Sequence, residues 1–292
     1  MTLVAAWIKQ VSSGGQLVVA SDSRLSFGAR WDCCPKIFPL ARNDAVLAFC
    51  GDTAFAYPVL LQLVNAVVNY EKALSRELDI TDLRPHFLKV INRMCSLVTD
   101  FPLGGANGID PTDFTLLFAG YSTKQRAFKA WSLYFDKALQ KFHHRPLSFH
   151  QRRTKGTKPF LFMGDHVPDA LKSLYLKLQE RKKLTTGQLD MEPLEVLVEM
   201  SESTEFDAIG GPPQVVKIYP HANVLPVNVL WPRQRPNFVA HFGRPLLTYE
   251  GSKYACLDLN DFSLLAPHDA YKRLAVTPQT DTGITVSATL KT

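Results

Sequence analysis

The sequence predicts an α+β fold in which two β-sheets lie between two layers of helices, a four-layer αββα sandwich with a β-rich C-terminal extension. A β-hairpin pattern followed by two helical patterns occurs, and this order of elements is then repeated. The strands are nearly continuous apolar runs, which indicates sheets covered on at least one face. After His221 the composition changes to prolines, aromatic residues and short β-like segments. We therefore predict a core at residues 1–220 and an extension at residues 221–292, either packed on the core or contacting a neighbouring subunit.

Composition restricts the class of protein. The chain has 292 residues, 46% of them hydrophobic, which is enough for a large core, and its net charge of +6 permits an acidic partner without requiring one. The five cysteines show no paired spacing, which indicates free thiols and a reducing compartment. The apolar N-terminus is typical of a strand, so we expect no leader segment. The longest apolar run, residues 57–68, is interrupted by polar residues and too short for a bilayer. We expect a cytoplasmic protein without a membrane span.

The first half of the chain predicts two hairpins and two helices. A Ser-Ser-Gly-Gly turn joins the first two strands, and a strand at residues 25–30 leads into the second hairpin. The second helix has Thr81 as its cap and Pro85 in its first turn. The predicted strands are residues 2–8, 16–20, 36–40 and 45–49. The first predicted helix is residues 53–75.

The second half repeats this order after a loop at residues 102–111. The predicted strands are residues 114–119, 128–135, 160–163 and 214–219, followed in the extension by 238–242, 246–249 and 254–257. The predicted helices are residues 169–183 and 191–200.

Residues 141–158 predict a basic loop interrupted by Pro146. It contains His143, His144 and His150, but no cysteine or carboxylate completes a ligand set at metal spacing, so we predict neither a metal site nor a cofactor. Nucleic-acid binding is less favoured than a solvated or partner-contacting loop, because aromatic residues are not interleaved for base stacking.

The first 51 residues contain the parts of an acyl-transfer site. The small side chain of Thr2 favours removal of Met1, which would leave a hydroxyl and a free α-amine on one residue. A hydroxyl becomes a good nucleophile when a base takes its proton, and an N-terminal amine is such a base. Lys36 would lower the pKa of that amine, and Asp22 would orient the lysine. The Gly51 amide would bind the developing oxyanion.

The order of these segments resembles the proteasome β-subunit type of N-terminal-nucleophile (Ntn) hydrolase, including bacterial proteasome-like peptidases and the ancestral β-subunit (Anbu) group. Thr2 matches the nucleophile of that family, Asp22 in S-D-S-R its acidic residue, Lys36 in P-K-I-F its lysine and Gly51 in F-C-G-D its oxyanion glycine. The resemblance covers about the first three-quarters of the chain. It implies the αββα fold, a threonine peptidase acting through an acyl-enzyme, and assembly into homo-oligomeric rings or spirals.

Two later positions depart from the family pattern. The family has a serine after the glycine that precedes its third helix, where this chain has Asp165 after Gly164. The family also has an aspartate followed three residues later by serine, and here Asp207 is followed by Gly210. Asp165 would either hold a protonated amine or replace the serine in a variant network. The alternative for both aspartates is capping of a helix or turn.

The resemblance also assigns a substrate pocket to Leu25, Cys34 and Phe49, which implies an apolar pocket of limited depth. Ordinary core packing is an equal alternative for Cys34 and Phe49. Taken singly, Asp22 is also compatible with a turn cap and Lys36 with a solvated edge-strand lysine. Only the occurrence of Thr2, Asp22, Lys36 and Gly51 together, in this order, favours a catalytic site.

Three alternatives to a peptidase remain open. The substituted serines favour an inactive scaffold subunit that keeps the fold. The same residues would also hydrolyse a small amide. A basic nucleic-acid-binding module is the third alternative, which predicts binding that weakens steeply with salt.

Overall fold

The computed structural model describes residues 2–11, 14–26, 29–98, 114–147, 160–184, 186, 188–221, 223–247 and 249–276. It has the mixed α+β content that the sequence predicts. The predicted loop at residues 102–111, and the part of the basic loop that includes His150, lie outside the described residues. No helix within the described ranges is both long and apolar enough to cross a membrane.

The described residues form fourteen strands and six helices. The strands are β1 (Leu3–Val11), β2 (Gly14–Ser21), β3 (Ile37–Pro39), β4 (Ala45–Gly51), β5 (Phe114–Ser122), β6 (Ala127–Asp136), β7 (Lys141–Leu147), β8 (Phe160–Gly164), β9 (Gln214–Tyr219), β10 (Asn223–Trp231), β11 (Phe238–His241), β12 (Arg244–Pro245), β13 (Cys256–Leu257) and β14 (Leu264–Leu265). The helices are α1 (Thr53–Val68), α2 (Glu71–Leu74), α3 (Ile80–Cys95), α4 (Val167–Glu180), α5 (Glu192–Glu202) and α6 (Pro267–Val276).

The strands form two sheets. The first has the order β12-β11-β10-β9-β2-β1-β8, and β13 and β14 join it beside β10. The second has the order β3-β4-β5-β6-β7. Apart from the parallel pair β10–β13, the pairings of the named strands are antiparallel. Leu3 pairs with Gly164 on one side of β1, and Val4 pairs with Ser21 on the other. This register places the start of β1 between β2 and the edge strand β8.

The buried apolar residues form separate clusters, because successive side chains of each strand point to opposite faces of its sheet. Leu3, Ala5 and Trp7 pack with residues of α4 and α5 on one face of the first sheet. Val4 and Ala6, which point the opposite way, pack with apolar residues of the second sheet. The other face of the second sheet packs against α1 and α3.

The described part of the extension continues the first sheet. The β9–β10 hairpin crosses the predicted boundary at residue 220, and β11 and β12 extend the same sheet. The turn between β11 and β12 reaches the end of β2, where a Cβ on Gly243 would lie only 2.6 Å from the Cβ of Ser23. The extension therefore packs on its own core over these residues.

Several predicted boundaries are wrong, for local reasons. The helix predicted at residues 53–75 divides into α1 and α2, because Tyr70 adopts an extended conformation. Helix α3 is capped by Asp79 and not by Thr81, whose amide donates to the Asp79 carboxylate at 2.9 Å. Of the stretch at residues 25–30, the described residues contribute an isolated bridge, between Leu25 and Trp31, and no longer strand.

The start of the predicted basic loop is strand β7. Pro146 interrupts the sequence pattern but not the strand, because β7 lies at the edge of the second sheet, where a missing N–H leaves no ladder bond unmade. In the extension, the described residues of the predicted strand 246–249 form no strand, since β12 ends at Pro245. The strand predicted at residues 254–257 is present only as β13, at residues 256–257.

Candidate active site

Asp22 lies at the end of β2, with its side chain fully buried. Its carboxylate accepts hydrogen bonds from three backbone amides: Leu3 at 3.0 Å, Arg24 at 3.0 Å and Gly210 at 3.3 Å. The Ser21 hydroxyl donates to the Leu3 carbonyl at 3.2 Å, which ties the start of β1 to the same turn. Amide donors of this kind stabilise an ionised carboxylate in the interior.

Lys36 is the charged partner of this carboxylate. Its Nζ donates to both Asp22 oxygens, at 3.0 and 2.9 Å, and its side chain is 0% exposed. Burial lowers the pKa of the Lys36 ammonium, and the charges of Asp22 and Asp165 oppose that shift. Lys36 therefore does not point into solvent, which was the alternative interpretation of its position.

Thr2 is fully buried beside this pair. The Leu3 amide and Lys36 Nζ each lie 3.0 Å from the same oxygen, Asp22 Oδ1, so the lysine and the residue after Thr2 share one acceptor atom. This shared oxygen brings Asp22 and Lys36 next to Leu3, the residue that follows Thr2.

Asp165 joins the cluster from the end of β8. The Thr2 backbone nitrogen donates to Asp165 Oδ2 at 2.6 Å, and the Asp165 amide donates to the Thr2 carbonyl at 2.8 Å. Gly164 makes this approach possible: its φ is +113°, and a Cβ there would clash with the Thr2 carbonyl oxygen. Asp165 thus contacts Thr2 on the nitrogen that would be the free amine after loss of Met1.

Gly51 ends β4 with a φ of +102°, a conformation that favours glycine. Amides alternate between the two sides of a strand, and the Phe49 amide donates toward β3, to the Lys36 carbonyl at 3.3 Å. Two residues later, the Gly51 amide faces the same side, away from β5. The preceding Cys50 is buried, and burial raises the pKa of its thiol to about 12.

The three predicted pocket residues differ in their exposure. Phe49 is fully buried, and its ring lies 5.2 Å from that of Tyr57 on α1, so core packing accounts for it. Leu25 is half-buried and packs against the same cluster. Cys34 is half-buried, and burial is the main cause that raises the pKa of its thiol.

The prediction for Asp207 does not fit the geometry. Its side chain is 79% exposed and pairs with Arg30 at 3.0 Å, whereas Thr2 is fully buried. In its place Gly210 contributes an amide to Asp22. A serine at 210 has no room, because a Cβ there would lie within 2.6 Å of Nε, Nη2 and Cζ of Arg24.

Sequence reasoning missed two supports of the site. Buried Gln214 accepts hydrogen bonds from the amides of Lys36 and Ile37, at 2.9 and 3.2 Å, and donates to the Cys34 carbonyl at 2.7 Å. Its only signal in the sequence was its position as a polar residue at the start of strand β9. Arg24 fills the space beside Gly210, and in the sequence it stands out only as the last residue of the S-D-S-R turn.

No group of His, Cys, Asp and Glu side chains within the described ranges has the arrangement of a metal site. The five cysteines are free thiols, as the sequence predicts. His143 and His144 lie on β7 with their rings stacked 5.3 Å apart.

The chain matches no known protein-family model and no curated protein sequence. The resemblance to the proteasome-type hydrolases therefore stays a prediction.

Proposed function

We propose that the chain is a proteasome-type Ntn hydrolase, a threonine peptidase that acts through Thr2 after removal of Met1. The proposed fold is the four-layer αββα sandwich. Its support is that α4 and α5 pack on one sheet, α1 and α3 pack on the other, and an apolar cluster joins the two sheets.

The observation that carries the proposal is the shared acceptor Asp22 Oδ1, which joins the Lys36 ammonium to the backbone of the residue after Thr2. A structural ion pair does not need to lie beside the chain start. A lysine that assists an N-terminal nucleophile does need to lie there, because its charge must act on the amine and the hydroxyl of the same residue.

In the proposed reaction, the Thr2 hydroxyl oxygen attacks the substrate carbonyl while the free α-amine takes the hydroxyl proton. The Gly51 amide stabilises the oxyanion, which is worth about 10²–10³ in rate. The C–N bond breaks as the proton passes to the leaving amine, which leaves an ester on Thr2. Water then gives a proton to the α-amine and attacks the ester carbonyl. The bond between the acyl carbon and the Thr2 oxygen breaks as the ammonium returns the proton to that oxygen, which releases the acid and restores the Thr2 hydroxyl.

Asp165 sets the conditions under which the amine acts as a base. A carboxylate 2.6 Å from the Thr2 nitrogen would stabilise the ammonium form and raise the pKa of the amine. A free α-amine titrates near pH 8. Pairing with Asp165 would therefore raise the pH at which the amine becomes neutral and can act as a base. We therefore propose an enzyme whose activity increases at alkaline pH.

The test combines intact-mass measurement with a threonine-directed covalent probe. We expect the purified protein to lack Met1 and to gain one probe mass on Thr2. Thr2→Ala abolishes labelling and turnover with the fold intact, because the nucleophile is lost. Thr2→Ser is the matched control that keeps a hydroxyl and retains labelling. A protein that keeps Met1 and does not react contradicts the proposal.

The same contact with Asp165 favours one second candidate, an inactive scaffold in which the amine stays charged. That candidate predicts no probe labelling even at alkaline pH. A peptide library assayed beside the probe separates peptide from small-amide hydrolysis, since labelling without peptide cleavage indicates a small substrate. A cytoplasmic homo-oligomer remains part of the proposal by resemblance, tested by mass photometry.

A further inference from the structure

A second pocket lies between the turn after Asp22 and the C-terminal extension. Its volume is about 410 Å³, within the range of small-molecule sites. Its lining includes Arg24, Asp32, Cys33, Trp231, Phe238 and Pro245. Its lining contains none of Thr2, Asp22, Lys36, Gly51 and Asp165 and shares only the supporting residue Arg24 with the candidate active site, so it is a separate pocket.

The Arg24 guanidinium is fixed along its edges. Nε and Nη2 donate to the two oxygens of Asp32 at 2.6 and 2.7 Å, which is a bidentate pair. Nη1 donates to the carbonyls of Asp207 and Ile209 at 3.1 and 3.3 Å. The plane of the guanidinium is therefore set before any ligand arrives.

One face of that plane is covered by Gly210. A Cβ on Gly210 would lie 2.5 Å from Nη2 and 2.6 Å from Nε, with Cζ closer still, so the glycine lies over the centre of the plane. The Arg24 side chain keeps 14% exposure and lines the pocket. Because its edges are bonded and one face is covered by Gly210, the opposite face is the part left for a ligand. Within the described ranges, the cations that lie over aromatic rings are Arg84, Arg145 and Lys253, so no ring covers Arg24.

We propose that this pocket binds a planar aromatic ring that carries an N–H donor, stacked on the open face of Arg24 with Trp231 and Phe238 beside it. Guanidinium groups stack on aromatic faces, and this one loses no side-chain freedom on binding because its edges are already fixed. Asp32 supplies the acceptor. Its side chain is 44% exposed, and each oxygen that accepts from Arg24 retains a lone pair.

The charge of the site agrees with this ligand class. The hydrogen bond from Arg24 is the main cause that lowers the pKa of Asp32, so the carboxylate stays an acceptor at neutral pH. Because Asp32 neutralises Arg24, an anionic group gains little there, and a neutral N–H aromatic fits best. Indole has this chemistry, whether as a free small molecule or as a tryptophan side chain in a peptide.

The first test uses the unmodified protein and the thiol of Cys33, which lines the pocket. We expect indole to slow alkylation of Cys33 by iodoacetamide, followed by peptide mass spectrometry. Half-buried Cys95 on α3 is the internal control and should react at an unchanged rate. Cyclohexylmethanol, which lacks the flat ring and the N–H, should not protect. Equal protection by both compounds, or protection by neither, overturns the proposal.

The second test measures the Kd for indole and for N-acetyltryptophanamide by ligand-observed NMR. Arg24→Lys and Phe238→Leu should each weaken binding about tenfold, because each removes one planar partner of the ring. Phe160→Leu is the matched control, since Phe160 is also half-buried against the first sheet but lies outside the pocket. An unchanged Kd in both pocket variants contradicts the proposal.

Comparison of the two ligands identifies the source of the ring. Tighter binding of N-acetyltryptophanamide than of indole indicates a peptide side chain, and the reverse indicates a free small molecule. Both tests measure binding alone, so their outcome does not depend on whether Thr2 is a nucleophile.

Discussion

Two lysines among the described residues are buried, and they differ in what surrounds them. Lys36 is fully buried and pairs with Asp22, whose carboxylate also receives three backbone amides. Lys217 on β9 is 5% exposed and forms no ion pair with a described carboxylate, while its neighbour Lys9 pairs with Asp190. Burial, followed by the charge of Lys9, lowers the pKa of Lys217 to about 8. Burial alone therefore does not distinguish the two lysines, whereas the carboxylate partner of Lys36, with its three amide donors, does.

The difference also explains why Lys36 was found from the sequence and Lys217 was not. Lys36 in P-K-I-F stands at the start of a predicted strand, and its place in the order of segments matches the lysine of the family that the chain resembles. Lys217 lies within an ordinary apolar strand, and its surroundings come from chain segments that are distant in sequence. Because Lys217 forms no ion pair with a described carboxylate, the sequence holds no paired residue that would have drawn attention to it.

The largest expected effect is the loss of turnover in Lys36→Met. Without the Lys36 ammonium, the α-amine of Thr2 loses the nearby positive charge that lowers its pKa. Turnover should therefore fall by at least about 10²-fold. Lys217→Met is the matched control and should keep normal turnover. The measurement is peptide hydrolysis by the two variants under identical conditions.

Lys36→Met also leaves Asp22 buried without its ion pair, which costs about 3–5 kcal/mol of stability. The double variant Asp22→Asn with Lys36→Met removes both charges and should recover part of the free energy of unfolding without recovering turnover. Turnover that returns together with stability would assign Lys36 a purely structural role.

The second prediction concerns Asp165→Asn. Loss of the carboxylate next to the Thr2 nitrogen removes the partner that stabilises the ammonium, so the pKa of the amine should fall by about one unit. Because the neutral amine is the base, the rise of kcat/KM with pH should shift to lower pH by the same amount. A pH–rate profile of the two proteins measures this shift. An unchanged midpoint in a folded variant contradicts the pairing of Asp165 with the amine.

The third prediction uses Lys217 to separate burial from function. Its pKa is about 8 in the folded state, against the ordinary lysine value of 10.5 that applies to the unfolded chain. Between these two pH values the unfolded chain therefore binds more protons than the folded one. The free energy of unfolding should therefore rise with pH relative to Lys217→Met, by on the order of 1–3 kcal/mol between pH 7 and pH 10. Urea unfolding at the two pH values measures the difference. Exposed Lys172→Met is the control and should show no such dependence.

The sequence could predict the parts of the site that follow from local order. The turn at Asp22, the strand start at Lys36 and the glycine at residue 51 occupy the expected ends of strands. Asp207 failed because the direction of its carboxylate depends on Arg30 and not on the residues around it. The serine absent at residue 210 is explained only by the Arg24 side chain, which folds over that position from 186 residues away in sequence.

The smallest expected effect is that of Asp207→Asn, which extends the comparison to an exposed ion pair. The carboxylate is largely in solvent, and its ion-pair partner among the described residues is Arg30, so screening by solvent leaves the pair little energy. We expect the free energy of unfolding to change by less than about 0.5 kcal/mol and turnover to stay within about twofold. Asp22→Asn, measured beside it, should lose turnover because that carboxylate holds Lys36 and the Leu3 amide together. A large loss of turnover in Asp207→Asn would return Asp207 to the site, and would mean that the loop carrying it moves toward Thr2 when substrate binds.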